Sequence, residues 1–122
     1  MDTKELGALG EKLACEYLME KGYKILGRNW RINFGEIDII AKKDKTIHFV
    51  EVKTLLAAAD GIYPEQHVDY RKQRKLMNLA QIWLEKNKYP QDIPYQIDIV
   101  GILTNQQTRM AKLHYFPNAV GA

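Results

Sequence analysis

Two acidic residues and a lysine have the types and spacing that metal-dependent chemistry needs. Asp38 lies in one predicted strand, and Glu51 and Lys53 lie two residues apart in the next. A symmetric turn centred between Asp44 and Lys45 would place Asp38 directly opposite Glu51 on one face of the sheet. Like charges so placed repel, and a bound cation would remove the conflict. Mg²⁺ takes carboxylate oxygens and keeps several waters, so we expect a magnesium site on this hairpin.

The strands on either side of the turn are predicted from their composition. Their β-branched residues favour strand and are Ile37, Ile39, Ile40, Ile47, Val50 and Val52. Alternation would place the Ile37 and Ile39 side chains on the other face of the sheet from the carboxylates. The same register would make Glu36 the cross-strand partner of Lys53. Apolar Ile40 and Phe49 would then accompany the acids, which raises the energetic cost of their repulsion. The alternative is an amphipathic hairpin with an ordinary charged outer face.

Composition and the remaining motifs exclude several classes of protein. The chain has 122 residues, which is one domain, with 46% hydrophobic and 27% charged residues. It lacks serine, a Gly-rich phosphate loop, metal-ligand spacing among its histidines and a motif around the single Cys15. No apolar run approaches the ~20 residues of a membrane span, and no signal peptide is visible. We expect a cytoplasmic protein without a membrane partner, and the net charge of +3 permits a polyanionic one.

The order of predicted elements indicates the fold class. Helices are expected at about residues 3–21 and 64–87, the first ended by Gly22, with a loop over 55–63. Strands are expected at about 23–30, in the hairpin 35–54, and at 95–104 and 110–116, with a turn over 105–108. This order predicts an α/β fold with a central mixed β-sheet and helices packed on its faces. Residues 1–116 would form a single domain and 117–122 a C-terminal tail.

A third acid, Glu11, lies on the first predicted helix. Small residues surround it at helical spacing, namely Gly7, Ala8, Ala14 and Cys15. The helix can therefore approach a neighbouring element closely around Glu11. The alternative is a surface glutamate on an amphipathic helix.

Basic residues in two places are candidates for phosphate contact. Arg28 and Arg31 accompany Trp30, which could stack on a base while the arginines contact a phosphate backbone. The alternative is a buried tryptophan with two solvated arginines. Lys72 and Arg74 belong to a basic cluster near the start of the second helix, where positive charge opposes the macrodipole. Phosphate contact and a plain solvated face both remain open for this cluster.

Asp38 followed by Glu51-Val52-Lys53 resembles the signature of the PD-(D/E)xK nucleases, with Ile37 in place of the proline. The wider pattern resembles the YraN family of small bacterial proteins, which is similar to archaeal Holliday junction resolvases of the restriction-endonuclease fold. That pattern comprises Gly10-Glu11, Arg28-Asn29, Gly35-Glu36-Ile37-Asp38, Phe49-Val50-Glu51-Val52-Lys53, Lys72, Ala80 and Ile97-Asp98. The resemblance covers nearly the whole chain and implies a restriction-endonuclease-like fold.

The resemblance also implies roles for the acidic residues and the lysine. Asp38 and Glu51, with the Val52 carbonyl, would hold Mg²⁺ or Mn²⁺. Glu11 would reach the metal directly or through water. Lys53 would orient the attacking water or help to deprotonate it, while the metal stabilises charge in an in-line displacement.

Further residues would act on the nucleic acid. Gly35 would let a phosphate approach the backbone, and Lys72 with its basic neighbours would contact phosphates without sequence specificity. Glu36 would pair with Lys53 or bind the edge of the site. Related proteins often carry an arginine shortly after the Glu-x-Lys, where this chain has Thr54-Leu55-Leu56.

These expectations combine into a metal-dependent endonuclease acting on DNA, in particular structured or branched DNA. One alternative is a non-catalytic nucleic-acid-binding module with a degenerate nuclease site. Another is a scaffold in which the acidic pair is structural. Junction resolvases act as dimers because a junction has two cleavage sites, which leaves a homodimer open, although the sequence shows no self-complementary patch.

Overall fold

Two helices and five strands make up the part of the chain that the computed structural model describes, residues 3–56, 70–105 and 110–120. The bounds are α1 Thr3–Glu20, β1 Lys24–Ile32, β2 Gly35–Lys43, β3 Thr46–Leu56, α2 Tyr70–Lys86, β4 Tyr95–Asn105 and β5 Met110–Val120. No helix within these ranges has both the length and the apolar character needed to cross a membrane.

The strands form one mixed sheet whose spatial order follows the chain order, β1-β2-β3-β4-β5. β3 and β4 pair in parallel, whereas every other neighbouring pair is antiparallel. A parallel pair needs a crossover connection, and α2 lies in that connection between β3 and β4. The crossover therefore brings α2 back over the strands that carry the predicted acids.

Each helix covers a different face of the sheet, because each presents one apolar stripe. The core under α1 consists of Ala14, Cys15, Leu18, Ile39, Ala41, Val50, Val100 and Ile102. The core under α2 consists of Ile37, Ile40, Ile47, Phe49, Leu76, Leu79, Ala80, Trp83, Leu84, Ile97 and Ile99. The predicted fold class, α/β with a central mixed sheet and helices packed on its faces, is confirmed.

The end of α1 follows from Gly22, the residue predicted to stop it. Gly22 has a φ of +91°, a conformation that glycine adopts without steric cost. The Tyr23 amide donates to the Leu18 carbonyl at 2.9 Å, and the Gly22 amide donates to the Met19 carbonyl at 3.1 Å. This pair of bonds is a Schellman motif, and it turns the chain directly into β1.

The β2–β3 hairpin has the predicted turn. Lys43 pairs with Thr46, and the same register continues to Ile39 opposite Val50. Asp44, the first residue of the turn, has a φ of +54°, which aspartate tolerates better than most residues. The predicted centre of the turn is confirmed.

The predicted alternation of faces fails at one point of β2. Ile39 belongs to the core under α1, whereas Ile37, two residues earlier, belongs to the core under α2. In a regular strand these two side chains would share a face. On β1, Asn29 stands between the partners of Ile39 and Ile37 and has a φ of +53°. The prediction that Ile37 and Ile39 line one face is therefore wrong, and the change of face occurs at Asp38.

Several predicted boundaries differ from the observed ones. β3 runs to Leu56, two residues into the predicted loop, and β5 runs to Val120. The predicted tail boundary at residue 116 therefore falls inside a paired strand, in which Val120 lies opposite Ile97. The rest of the predicted loop, the predicted helix start at 64–69, most of the predicted turn at 105–108 and residues 121–122 lie outside the described residues.

Candidate functional site

The candidate site forms where β2 and β3 separate. Their ladder ends with Ile39 opposite Val50, one residue short of Asp38. Beyond that point the Asp38 carboxylate accepts a hydrogen bond of 2.8 Å from the Val52 amide. The predicted direct ladder pair of Asp38 with Glu51 is therefore not formed, because a side chain takes the place of the backbone acceptor.

Glu51 is buried at the start of this gap, with 7% of its surface exposed. Its carboxylate forms an ion pair of 2.6 Å with the Lys72 ammonium group from α2. The Lys53 ammonium group lies 3.7 Å from the same oxygen. Two strands and one helix thus bring two carboxylates and two lysines together.

The Asp38 carboxylate is in an unfavourable environment for its charged form. Its pKa is raised from 3.8 to about 7. Burial is the largest cause, and the negative charge of Glu51 is the second. The Val52 hydrogen bond opposes the shift, and Glu11 and Glu36 add to it. Burial combined with a like charge is the pattern found at functional carboxylates, and a cation bound between the acids would relieve it.

The two lysines beside Glu51 differ in how firmly they hold their protons. Burial and the neighbouring Lys72 charge lower the pKa of Lys53. Burial also acts to lower the pKa of Lys72, but its hydrogen bond to Glu51 and further contacts raise it on balance. Lys53 is therefore the lysine better suited to accept a proton, whereas Lys72 keeps a stable positive charge.

A cavity of about 590 Å³ opens onto this cluster between the β1–β2 turn and α2. Asp38, Glu51 and Lys72 are among the residues that line it. The other lining residues are Arg31, Ile32, Asn33, Phe34, Gly35, Glu36, Lys75, Leu76 and Leu79. The acids therefore face an accessible space whose lining also includes Arg31, Lys72 and Lys75.

Glu11 approaches the site from the α1 side of the sheet. α1 lies so close to β3 that a Cβ atom added at Gly10 would overlap the Thr54 side chain. The close approach predicted around Glu11 is thus present, and the Glu11 charge contributes to the raised pKa of Asp38. Among the described residues, however, no three acidic, histidine or cysteine side chains form a metal-binding group. A direct role for Glu11 in binding metal remains a prediction.

Glu36 pairs with Arg31 instead of Lys53. Arg31 Nη2 and Nε donate to the same Glu36 oxygen at 2.8 and 3.3 Å. The two residues are cross-strand partners on β1 and β2. The predicted pair of Glu36 with Lys53 is therefore not formed, because Lys53 points to Glu51. Arg31 lines the cavity while it is paired with Glu36.

Arg28 lies on the other side of the sheet from the cavity. Its charge reaches Cys15 of α1, whose thiol pKa is raised by burial and partly lowered by Arg28. The structure therefore does not bring Arg28 together with the cations of α2. Its predicted contact with nucleic acid would need a surface that extends around the sheet.

The other predicted phosphate-binding residues lie beside the cavity. A Cβ atom on Gly35 would come within 2.8 Å of Lys75 Cε and 2.9 Å of Leu79 Cδ1. Gly35 therefore lets α2 pack against β2, and its contact with phosphate remains a prediction. Lys72 lies in the cavity, and Arg74 lines a neighbouring groove.

Sequence reasoning did not select Phe34 from the cavity wall. Phe34 lies in the β1–β2 turn, and 51% of its surface is exposed. The available signal was an aromatic residue in an otherwise polar turn, Asn33-Phe34-Gly35. That signal is weak by itself, because only the crossover of α2 places basic residues around Phe34.

A second buried carboxylate, Asp98, does not line this cavity. It accepts four hydrogen bonds, from His48 Nδ1 at 2.7 Å, the Tyr115 hydroxyl at 2.6 Å, Gln96 Nε2 at 2.7 Å and the Asn118 amide at 2.8 Å. Burial alone would raise the pKa of Asp98, but these donors lower it below the ordinary value. Because the acceptor capacity of the carboxylate is filled, Asp98 has a structural role, as does His48.

Comparison with known protein families gives a match over most of the chain. The model of the family described as "Uncharacterised protein family UPF0102" matches residues 10–102. A UPF0102 protein of Caldanaerobacter subterraneus subsp. tengcongensis is 38% identical over 120 residues, which cover 98% of this chain and 97% of the relative. A UPF0102 protein of Thermodesulfovibrio yellowstonii is 48% identical over 98 residues, covering 80% of this chain and 85% of the relative.

Comparison with solved structures gives a distant likeness to SfsA of Pyrococcus furiosus, determined in complex with Ca²⁺. The sequence identity is 18% and the TM-score 0.43. The superposition covers 99% of this chain and 66% of SfsA, so this chain spans just under two thirds of that protein.

Proposed function

We propose that this chain, which belongs to the UPF0102 family, is a metal-dependent nuclease that hydrolyses phosphodiester bonds in DNA. The observation that carries the proposal is the pair of carboxylates, Asp38 and Glu51, held beside two lysines at the wall of an open cavity. Burial and the neighbouring Glu51 charge raise the pKa of Asp38 to about 7, and a cation bound between the two acids would relieve this unfavourable environment. DNA as the substrate is supported by the basic face of α2 and by the resemblance to PD-(D/E)xK nucleases.

The donor set fits Mg²⁺ or Mn²⁺. Asp38 and Glu51 would hold the ion, and Mg²⁺ commonly binds one or two carboxylates while waters and substrate phosphates complete its shell. When bound, such an ion polarises the phosphoryl oxygen and neutralises the charge that develops there. The absence of a third acidic, histidine or cysteine ligand among the described residues is consistent with this open arrangement.

The other groups of the site would orient the metal ligands, the attacking water and the phosphate. The Val52 amide fixes the Asp38 carboxylate in one orientation. Lys53, whose pKa burial and Lys72 lower, would orient the attacking water or help to deprotonate it. Lys72 forms an ion pair with Glu51 and would contact the substrate phosphate if Glu51 bound the metal.

One observation favours a second candidate, a nucleic-acid-binding module without catalysis. The ion pair of 2.6 Å between Lys72 and Glu51 already neutralises one carboxylate. If that ion pair persists in the presence of metal, the cavity would bind phosphates through its cations and leave them intact.

Cleavage assays distinguish the two candidates. The protein is incubated with four-way junction, nicked, flap and single-stranded DNA in Mg²⁺ or Mn²⁺, and in parallel with EDTA. We expect cleavage that requires the metal and that Asp38→Asn and Glu51→Gln abolish. Lys53→Met should lower the rate by about 10²-fold or more, as loss of a general base does.

Asp44→Asn provides the matched control for this assay. It removes an exposed carboxylate from the hairpin turn, and asparagine tolerates the same positive φ. Its cleavage rate should equal that of the unaltered protein. DNA binding without cleavage in either metal would contradict the nuclease and support the binding module. Absence of both binding and cleavage would favour a scaffold.

A further inference from the structure

A groove beside the candidate site combines an exposed aromatic ring with positive charge. The groove has a volume of about 300 Å³ and is lined by Phe34, Arg71, Arg74, Lys75 and Asn78; we call it the Phe34 groove. Phe34 and Lys75 also line the larger cavity that contains Asp38 and Glu51. The groove is therefore continuous with the candidate site, and a polymer lying in one would extend into the other.

The setting of Phe34 indicates what kind of partner it contacts. Its ring is 51% exposed at the tip of the β1–β2 turn. Three cations of the groove stand around it, whereas the core of a protein–protein interface is depleted in charge. An aromatic face among cations matches the composition of single-stranded nucleic acid sites, where bases stack on aromatic rings and basic residues follow the backbone.

The first two turns of α2, as far as the structure describes this helix, supply this charge. Arg71, Lys72, Arg74 and Lys75 lie within five consecutive residues, and the first turn has no acidic residue. Lys72 bonds Glu51 in the cavity, so the other three cations surround the groove. A phosphate backbone lying in the groove would contact these cations.

From this arrangement we propose that Phe34 stacks on an unpaired nucleobase while Arg71, Arg74 and Lys75 bind the flanking phosphates. The bases of an intact duplex are stacked on one another, so an aromatic side chain at the groove can engage only a base that is already free or readily extruded. The candidate site therefore prefers DNA with an unpaired nucleotide next to the phosphate at Asp38 and Glu51. This specificity rests on the proposed action on DNA.

Binding of DNA that contains 2-aminopurine tests the proposal without relying on cleavage. The fluorescent base is placed as one unpaired nucleotide within an otherwise paired oligonucleotide, and a fully paired oligonucleotide of equal length is the comparison. Titrations use Ca²⁺ and EDTA buffers. We expect the unaltered protein to quench the unpaired base on binding and to bind that DNA about tenfold more tightly than the duplex, the order of one base–aromatic stacking contact.

Variants at Phe34 make the test specific to the ring. Phe34→Ala and Phe34→Leu should lose the quenching and the preference while keeping their affinity for duplex within about twofold, because the cations remain. Phe34→Trp should keep both. Met19→Ala is the matched control, because Met19 is a similarly exposed apolar side chain on α1, and it should behave like the unaltered protein.

The outcomes separate this inference from the proposed function. If Phe34→Ala and Phe34→Leu keep the preference for unpaired DNA, the stacking role of Phe34 is refuted while the nuclease proposal stands. A preference that depends on Phe34, in a protein that cuts no DNA in Mg²⁺ or Mn²⁺, would support the groove and refute the nuclease. Failure to bind any of the oligonucleotides would overturn both.

Discussion

At the scale of single residues, the fold holds the Asp38 carboxylate in an unfavourable environment. Its pKa of about 7 means that the charged form is destabilised in the fold relative to the unfolded chain. The unfolded group titrates near 3.8, so the cost to folding is absent below that pH, grows as the pH rises, and is complete above about 7. An unfavourable group of this kind persists at a candidate site because the rest of the fold is stable enough to hold it there.

Replacing Asp38 should therefore stabilise the metal-free protein. We expect Asp38→Asn to raise the melting temperature at pH 8 in EDTA by about 4 °C, the shift that ~1 kcal/mol produces in a domain of this size. At pH 4 the difference should be smaller, because Asp38 is protonated there in the fold. Thermal unfolding followed by circular dichroism at both pH values measures the effect.

The same melting experiment tests metal binding. Mg²⁺ or Mn²⁺ should raise the melting temperature of the unaltered protein and leave that of Asp38→Asn unchanged, since only a ligand that binds the native state stabilises it. A variant that is less stable than the unaltered protein at pH 8, or that responds equally to metal, would contradict the cation site.

At the scale of elements, the approach of α1 to β3 places Glu11 near the acids. The contact depends on Gly10, since any Cβ atom there would overlap Thr54. The close contact explains why α1 contains a glycine at position 10, although glycine has a low helix propensity. Packing at this one point, rather than helix propensity, decides the distance between the α1 layer and the site.

Two glycine substitutions on α1 should have opposite effects. Gly7→Ala should stabilise the protein by up to ~1 kcal/mol, because alanine favours helix and a Cβ atom there meets nothing within 4 Å. Gly10→Ala should destabilise it by about 1 kcal/mol, because overpacking of about 1–3 kcal/mol exceeds the gain in propensity. Urea unfolding of both variants measures the difference.

The double variant Gly10→Ala/Thr54→Ala supplies a check on the cause. Removing the Thr54 hydroxyl and methyl groups should restore part of the stability lost in Gly10→Ala. Equal stabilisation by Gly7→Ala and Gly10→Ala would show that α1 has room to move away from β3.

At the scale of the whole molecule, the Asp98 network ties the sheet together. The carboxylate on β4 bonds His48 of β3 and both Tyr115 and Asn118 of β5. The Tyr115 hydroxyl also bonds that of Tyr23, the residue before β1, at 3.0 Å. One buried charge thus connects three adjacent strands and the chain entry to a fourth, and its bond to Asn118 lies beyond the predicted end of the last strand.

Asp98→Asn should destabilise the fold by ~3 kcal/mol at pH 7. Asparagine offers one acceptor oxygen, so about two of the four donors lose their partner, at roughly 1.5–3 kcal/mol for each bond to a charged group. The lowered pKa of Asp98 stabilises the fold above the unfolded value of 3.8, and this contribution is lost as the pH falls through the lower native pKa. The difference in free energy of unfolding between the unaltered protein and Asp98→Asn should therefore be smaller at pH 2.5 than at pH 7.

Urea unfolding at pH 7 and pH 2.5 checks this prediction, with Asp92→Asn as the control. Asp92 is an exposed carboxylate in the connection between α2 and β4, and its replacement removes the same charge. Asp92→Asn should change stability by less than about 0.5 kcal/mol. A comparable loss in both variants would mean that net charge, not the network, is responsible.

The features of this protein that depend on residues close together in the chain could be predicted from the sequence. β-branched runs and a short polar turn identified the hairpin and its register, because strand pairing across a two-residue loop is a local property. Asp38, Glu51 and Lys53 followed from that register. The α/β class followed from the order of elements, since helices and strands with one apolar side must cover each other.

The remaining features of the candidate site depend on contacts between residues far apart in the chain. The crossover brings Lys72 onto Glu51 and the basic turns of α2 around Phe34. The ladder stops at Ile39, where alternation alone predicted a further pair. The raised pKa of Asp38 and the bonds that Asp98 makes depend on burial and on partners far apart in the chain. Contacts of this kind cannot be predicted from sequence periodicity, because they depend on which surfaces of the helices and strands meet and not on the spacing of residues within one strand.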